Sequence, residues 1–372
     1  MQLYKLKELY SISSGLSKPA SQFGYGNPFL SFSIVFNNYH IPSSLIDLVN
    51  TNPLEIKRFS IKRGDVFVTR TSEKLDELGK SCVALQDYEK ATFNGFCKRL
   101  RPIVNESIIL PEYAQYLFRS KQFTNQIIYG CPMSTRASLN EEILNTIVLN
   151  IHSLSEQRHI VDIIGSLDDK IENNNKLYKK IDEYLLLKYK KIQDKTVKGN
   201  FKDNFNILNG YAFKSKDYIE FGTYKVITIK NIKSDGFTTA SCDFIDFNDD
   251  YRKVKLNIGD ILLTMTGDVG RVGIVDQENC LLNQRVLKVT GISPAYTYAF
   301  LKSNYYNISM ISKGSVQQNL SVNDLYNISV YNSKQQIFEF KKYDSLFEKM
   351  IALKKENIKL QQLKSNYLAK FF

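Results

Sequence analysis

Two stretches of the chain place apolar side chains at alternating steps of four and three, the spacing that lines one stripe of an α-helix. In the first, Ile160, Ile164, Leu167, Ile171, Asn174, Tyr178, Ile181, Leu185, Lys188 and Ile192 follow the a/d seam of a coiled coil. The second repeats it less strictly through Leu346, Met350, Leu353, Asn357, Leu360, Tyr367 and Phe371. Each predicts a helix of roughly 38 residues, about 57 Å long at about 1.5 Å per residue. Asn174 breaks the first seam, either as a polar residue that fixes register or as a solvated position near a frayed end. Elsewhere the pattern is short: residues 65–69, 225–229, 260–265 and 273–275 are β-branched or apolar runs bounded by Gly, Asn or Asp, and read as strands. A short helix is expected near Pro111 and near Pro294. Strands do not alternate regularly with helices of 10 to 15 residues, so a doubly wound nucleotide fold does not fit.

The pattern occurs twice. Ile61-Lys62-Arg63-Gly64-Asp65-Val66-Phe67-Val68-Thr69-Arg70-Thr71 answers to Leu256-Asn257-Ile258-Gly259-Asp260-Ile261-Leu262-Leu263-Thr264-Met265-Thr266, an offset of 259 − 64 = 195. The run from Pro111 to Ser120 matches that from Pro294 to Ser303, an offset of 294 − 111 = 183. Leu139, Ile143, Ile147 and Leu149 pair with Leu320, Leu325, Ile328 and Val330, after which each half runs into its long helix. The segment 24–50 has no evident counterpart in the second half. The fold class is therefore α+β, an internal duplication with pseudo-twofold character: a mixed α/β globule over 1–153, a long helix over 154–197, a second globule over 198–333 and a second long helix over 334–372.

Charge sharpens this picture only partly. Fifty Lys and Arg against 38 Asp and Glu leave +12, which favours a polyanionic partner, nucleic acid first and an anionic membrane surface second. The excess is uneven: residues 1–110 carry 14 basic and 10 acidic groups, whereas 199–333 carry 14 and 13, so charge alone does not establish nucleic-acid binding. Cys82, Cys97, Cys131, Cys242 and Cys280 show no paired spacing, as expected of reduced thiols in the cytoplasm. The first residues lack a signal-peptide apolar core, and no stretch reaches 18 uncharged apolar residues, so neither secretion by that route nor a membrane span is expected.

Motifs for catalysis fail on spacing. Gly79-Lys80-Ser81 ends like a phosphate-binding loop, but Lys74 stands where the cradle needs Gly. Asn27-Pro28-Phe29 lacks the second Pro of a base-flipping loop and reads as an Asn-Pro turn. Asp47 with Glu55 and Lys57 is a spacing that random charges supply often. His40, His152 and His159 do not assemble a zinc site or a triad, and Gly267-Asp268-Val269-Gly270 reads as a turn. No catalytic, cofactor or metal residue is assigned.

Polar and basic residues on loops that leave strands are better suited to reading DNA. They are Tyr25, Arg58, Lys62, Arg63, Arg70, Thr71, Ser72, Lys74 and Arg136 in the first globule. In the second they are Tyr211, Lys214, Lys230, Asn231, Thr266, Arg271, Gln284, Arg285, Gln317 and Gln318. Arg can make two bonds to guanine O6 and N7, Gln and Asn two to adenine N6 and N7, while Thr, Tyr and Lys hold phosphates. Loops are polar in all proteins, so each residue singly is weak; the neighbours Gln284-Arg285 and Gln317-Gln318 stand out because adjacent long donors suit a groove.

The duplicated plan, Gly-Tyr-Ala-Phe-Lys-Ser at 210–215, Gly259-Asp260-Ile261-Leu262 with Thr266-Gly267, Asn283-Gln284-Arg285-Val286, and the run from Gly314 to Leu320 before the second long helix together carry a resemblance. Across its length the chain resembles the specificity subunit of type I restriction-modification enzymes. The resemblance implies two target-recognition domains, each reading one half of a bipartite double-stranded DNA target, held apart by an antiparallel pair of helices. It implies a non-catalytic chain whose partners are methyltransferase subunits and a nuclease/translocase subunit, with S-adenosylmethionine, ATP and Mg used in those partners. The first half departs from the pattern, since Thr69-Arg70-Thr71-Ser72 has no Gly after the strand. Two other classes remain open: a stand-alone DNA-modifying enzyme, and a coiled-coil interaction protein without DNA binding.

Overall fold

The computed structural model describes residues 1–72, 77–131, 137–194, 196–312 and 319–372. The chain forms two compact units, Met1–Asp169 with Gln361–Phe372, and Lys170–Leu360. Both long helices are shared between the units.

In unit 1, β1 (Tyr10–Ser14), β2 (Val66–Thr69), β3 (Ser81–Val83) and β4 (Cys97–Pro102) make a sheet in the order β1-β4-β2-β3, antiparallel throughout. Gly64 turns the chain into β2 with φ +87°, a conformation that suits Gly, and Asp65 accepts the Lys62 backbone N–H at 2.8 Å to close the turn. The helix α1 (Pro111–Leu117), with Pro at its first position, lays Tyr113, Tyr116 and Leu117 on the sheet. Ile160 and Ile164 of the second helix, α2 (Leu154–Ile192), join that core, as do Tyr367 and Phe371 near the C-terminus.

Unit 2 repeats the plan. β5 (Phe205–Asn209), β6 (Ile261–Thr264), β7 (Val272–Ile274) and β8 (Val286–Gly291) form an antiparallel sheet in the order β5-β8-β6-β7. The register repeats too: Ile12 and Val66 flank Leu100 as Ile207 and Ile261 flank Val289. Gly259 has φ +94°, and Asp260 accepts the Asn257 N–H at 2.8 Å. Over this sheet lie α3 (Pro294–Ser303) and the start of α4 (Asp344–Phe371), with Tyr189, Tyr296, Phe300, Phe347 and Met350 packed together. The second long helix has 28 residues and so covers its apolar pattern but falls short of the roughly 38 residues expected of it. A turn of 3₁₀ helix at Phe340–Tyr343 precedes it, where Phe340 is buried against Tyr296 and the Asp344 carboxylate holds the Ser293 hydroxyl at 2.6 Å.

Every seam position of α2 is buried or half-buried. Asn174 is no frayed end: it is buried within unit 2, donates to Asn357 Oδ1 at 2.9 Å, and Asn357 in turn donates to Asn175. Further along, Lys354 covers the Tyr178 ring at 4.8 Å and Tyr184 meets Tyr343 edge-on, so partners descend on one helix as they rise on the other. In unit 1, Asp168 is held by Lys364 at 2.6 Å and by the Tyr116 hydroxyl at 3.0 Å.

The segment 24–50 does have a counterpart. Phe23–Leu30 is a strand, not an Asn-Pro turn, and runs parallel to Thr92–Phe93. Tyr224–Ile227 runs parallel to Cys280–Leu282 in the same way. The Leu30 carbonyl accepts Asn94 N–H at 3.1 Å, and Ile227 accepts Asn283 N–H at 3.1 Å, so the two strands hold equivalent places. Left-handed Gly24 and Gly26, with a register shift between Phe23 and Asn27, hide the strand from a reading of the sequence.

Candidate nucleic-acid interface

Antiparallel pairing brings the end of β5, the start of β8, the end of β6 and the start of β7 to one edge of the unit 2 sheet. Gln284 N–H donates to the Tyr211 carbonyl at 3.0 Å, Met265 N–H to the Arg285 carbonyl at 3.0 Å, and Arg271 N–H to Thr264 Oγ1 at 3.0 Å. Tyr211, Thr266, Arg271, Gln284 and Arg285 therefore share this edge. Gly210 is required here: a Cβ on it would sit 2.2 Å from the Asn283 carbonyl oxygen. The Asn283 side chain accepts the Arg285 N–H at 3.1 Å and closes the turn. Gln284 and Arg285 point outward from it, exposed, and among the described residues no carboxylate pairs with Arg285. Arg271 differs, since its guanidinium is paired with Asp268. Tyr211 packs in a ring cluster with Phe213 and Tyr251 at 5.1 and 5.2 Å and remains part-exposed.

Other sequence candidates of unit 2 lie apart in role. Asn231 is fully buried and acts as a cap, accepting the Thr228 N–H at 2.9 Å, so its amide is spent inside the fold. Lys230 is exposed and paired with Asp243 at 2.8 Å. Lys214 is exposed, three residues beyond Tyr211. Gln317 and Gln318 lie outside the described residues; Asn319, which follows them in the chain, forms a bridge with Thr266 at this edge.

The matching edge of unit 1 holds Arg70, Thr71 and Ser72. Arg70 N–H donates to the Phe96 carbonyl at 2.9 Å, and Thr71–Ser72 pairs with Ala137–Ser138. Lys62 and Arg63 precede β2 and so lie at its opposite end. They are engaged there, Lys62 with Asp87 at 3.0 Å and Arg63 with Glu106 and Glu112, both at 2.9 Å. Arg58 ends the helix Pro53–Arg58 with its guanidinium over the Phe59 ring at 5.3 Å. Tyr25 is exposed on the strand Phe23–Leu30, five residues before its end. Lys74 and Arg136 lie outside the described residues.

Residue by residue, the frame of one edge maps onto the other. Gly95 N–H donates to the Leu16 carbonyl at 2.8 Å as Gln284 does to Tyr211, Asn94 accepts the Phe96 N–H at 2.7 Å as Asn283 does that of Arg285, and Gly15 approaches the Asn94 carbonyl as Gly210 approaches that of Asn283. Phe96, which sequence reading missed, is thus the structural equivalent of Arg285. An Asn three residues before a strand in both halves was the available signal.

A family model described as Type I restriction modification DNA specificity domain matches residues 1–183 and again 193–363. The chain belongs to this family. Both copies of the specificity domain carry the duplicated sheet and its edge. Among solved structures, the S subunit of the Type-I restriction-modification system from M. genitalium is similar over 100% of this chain and 96% of that one, with 13% identity and a TM-score of 0.60, a likeness of fold. The HsdS subunit from Thermoanaerobacter tengcongensis is 14% identical over 99% of this chain and 95% of that one, with a TM-score of 0.38. Among curated proteins no relative matches. No described helix is long and apolar enough to cross a membrane.

Proposed function

We propose that this type I specificity subunit reads a bipartite double-stranded DNA target, one half with each sheet edge. The observation that carries this reading is the outward, exposed pair Gln284-Arg285 on a turn built twice in the chain, long donors that among the described residues meet no carboxylate. The antiparallel helices act as a coiled-coil ruler between the two reading edges, supported by the seam burial and by the Asn174–Asn357 pair, a polar layer that favours one register. Methyltransferase subunits dock on the helices, where Asp169, Glu172, Lys179 and Lys180 are exposed off the seam. The chain itself is non-catalytic in this proposal. Methyl transfer from S-adenosylmethionine and ATP- and Mg-dependent cleavage belong to the methyltransferase and nuclease/translocase partners, in the cytoplasm.

Mapping methylated adenines in genomic DNA with and without the gene tests this. A two-part motif separated by a fixed spacer, present only with the gene, is the expected result. An unchanged methylation pattern would count against it, and methyl transfer or cleavage by the purified chain alone, given S-adenosylmethionine, ATP and Mg²⁺, would favour a stand-alone enzyme instead.

A further inference from the structure

The two edges share a backbone frame but exchange their side chains. In unit 2 the residue after β6 is Met265, half-buried, and it bonds through its N–H to exposed Arg285. In unit 1 the residue after β2 is Arg70, half-buried, and its N–H bonds to exposed Phe96. Each edge thus holds one Arg and one apolar side chain at the same two backbone positions, in opposite order. Phe96 is 62% exposed. A single exposed phenyl group means little by itself. Its place is what marks it, because the Asn94 side chain and the close approach of Gly15 fix the turn that carries it as firmly as the turn carrying Arg285.

Phenylalanine can neither donate nor accept a conventional hydrogen bond, so it cannot read a base as Arg285 can. One base edge in the major groove offers an apolar group, the C5-methyl of thymine. Resting on the proposed DNA-reading role of these edges, we infer that Phe96 is a specificity-determining residue that recognises a thymine methyl group in the half-site read by unit 1. The half-site of unit 2 is distinguished by a guanine under Arg285. Burying the ring against a methyl group removes apolar surface from water on both sides, and the hydrogen bond from Arg70 N–H keeps the Phe96 backbone seated on the sheet while it does so.

The test uses the assembled complex and synthetic duplexes carrying its mapped target, with each thymine in turn replaced by uracil, which differs only by the methyl group. For the wild-type subunit, one uracil in one half-site should weaken binding about fourfold, the equivalent of one buried methyl group. In Phe96→Ala the same replacement should have no further effect, while Phe96→Leu should restore part of it. Discrimination at the other half-site should stay intact in both variants, which also reports that they fold and assemble. If uracil and Phe96→Ala effects simply add, or if Phe96→Ala weakens every sequence alike, the thymine assignment is wrong. If the wild-type complex shows no sequence preference at all, the DNA-reading role of the edges fails first.

Discussion

At the turn leading into one of the two central strands of each sheet, unit 1 carries Asn94-Gly95-Phe96 where unit 2 carries Asn283-Gln284-Arg285. The turn-closing Asn, the hydrogen bonds to the neighbouring strands and the glycine packed beneath are the same; the outward side chains are not. At this turn the halves therefore differ where they face outward and agree where they hold shape. Residues that set backbone geometry, such as Gly64 with Asp65 and Gly259 with Asp260, repeat because the turn needs them, whereas outward residues are free to diverge. A duplicated frame of this kind suits the proposed reading of two unlike half-sites with one architecture.

The largest effect should come from exchanging a whole edge. Replacing residues 199–318 with the corresponding domain of a related subunit should rewrite one half of the methylated motif and leave the other half and the spacer as they were. If both halves changed, the units would not read independently.

Next comes the distance between the halves. Asp169 and Leu360 close stretches of the two helices at the division between the compact units, so seven residues added after each leave the contacts inside both units unaltered. Such an insertion preserves the seam and lengthens the pair by about 10.5 Å at about 1.5 Å per residue. With DNA rising about 3.4 Å per base pair, the preferred spacer should grow by roughly three base pairs. Methylation mapping should show unchanged half-sites; a fixed spacer would mean the helices are not the ruler.

Smaller still is the loss of one side chain. Arg285→Ala should relax one base of one half-site by about 1 to 3 kcal/mol and leave the rest of the motif in place. Equal weakening of binding to all sequences would make Arg285 a phosphate contact.

The sequence discloses the parts of this comparison that rest on long periodicity or on obligatory turns. The seam of α2 is plain because ten positions share one helical stripe, and β2 and β6 announce themselves through Gly-Asp followed by apolar runs. Phe23–Leu30 is hidden because two left-handed glycines and Pro28 resemble a turn until Thr92–Phe93 pairs with it. On the candidate edge, Gln284-Arg285 draws attention through side-chain chemistry, while Phe96 does not, since an aromatic residue after Asn-Gly carries no polar signature. Lys62 and Arg63 mislead for the opposite reason: their charge is visible, but only the pairing of β2 shows that they lie at the far end of the strand and are spent on Asp87, Glu106 and Glu112.

The units should also differ in how acid affects them, because one frame position carries different chemistry. Gly64 N–H donates to the Ala84 carbonyl and Gly259 N–H to that of Val275, both at 2.8 Å, so the residues that follow, Leu85 and Asp276, are equivalent. Leu85 joins the unit 1 core. Asp276 sits by Tyr178, Phe237, Ile274, Met350 and Lys354 with Oδ1 buried and without a hydrogen-bond partner among the described residues, and burial pushes its carboxyl from 3.8 up to about 6 against the opposing pull of Lys354. Because the folded form holds this proton more tightly, its stabilisation of unit 2 is complete below about pH 4 and is lost as pH rises through about 6. Unit 1 responds with the opposite sign. Burial holds His152, bonded to the Tyr113 hydroxyl at 2.7 Å, below its ordinary 6.5, so its contribution is present above that value and is lost as pH falls. Between pH 5 and pH 7, proteolysis in urea, read from fragments of each unit, should therefore show unit 1 becoming more resistant and unit 2 less. Asp276→Leu, which gives unit 2 the residue unit 1 already has, should remove the unit 2 trend and stabilise it at pH 7 by about 1 to 3 kcal/mol, with Asp276→Asn giving part of that gain. Parallel trends in the two units, or an Asp276→Leu chain no more stable at pH 7 than wild type, would show that the buried carboxyl is not what separates them.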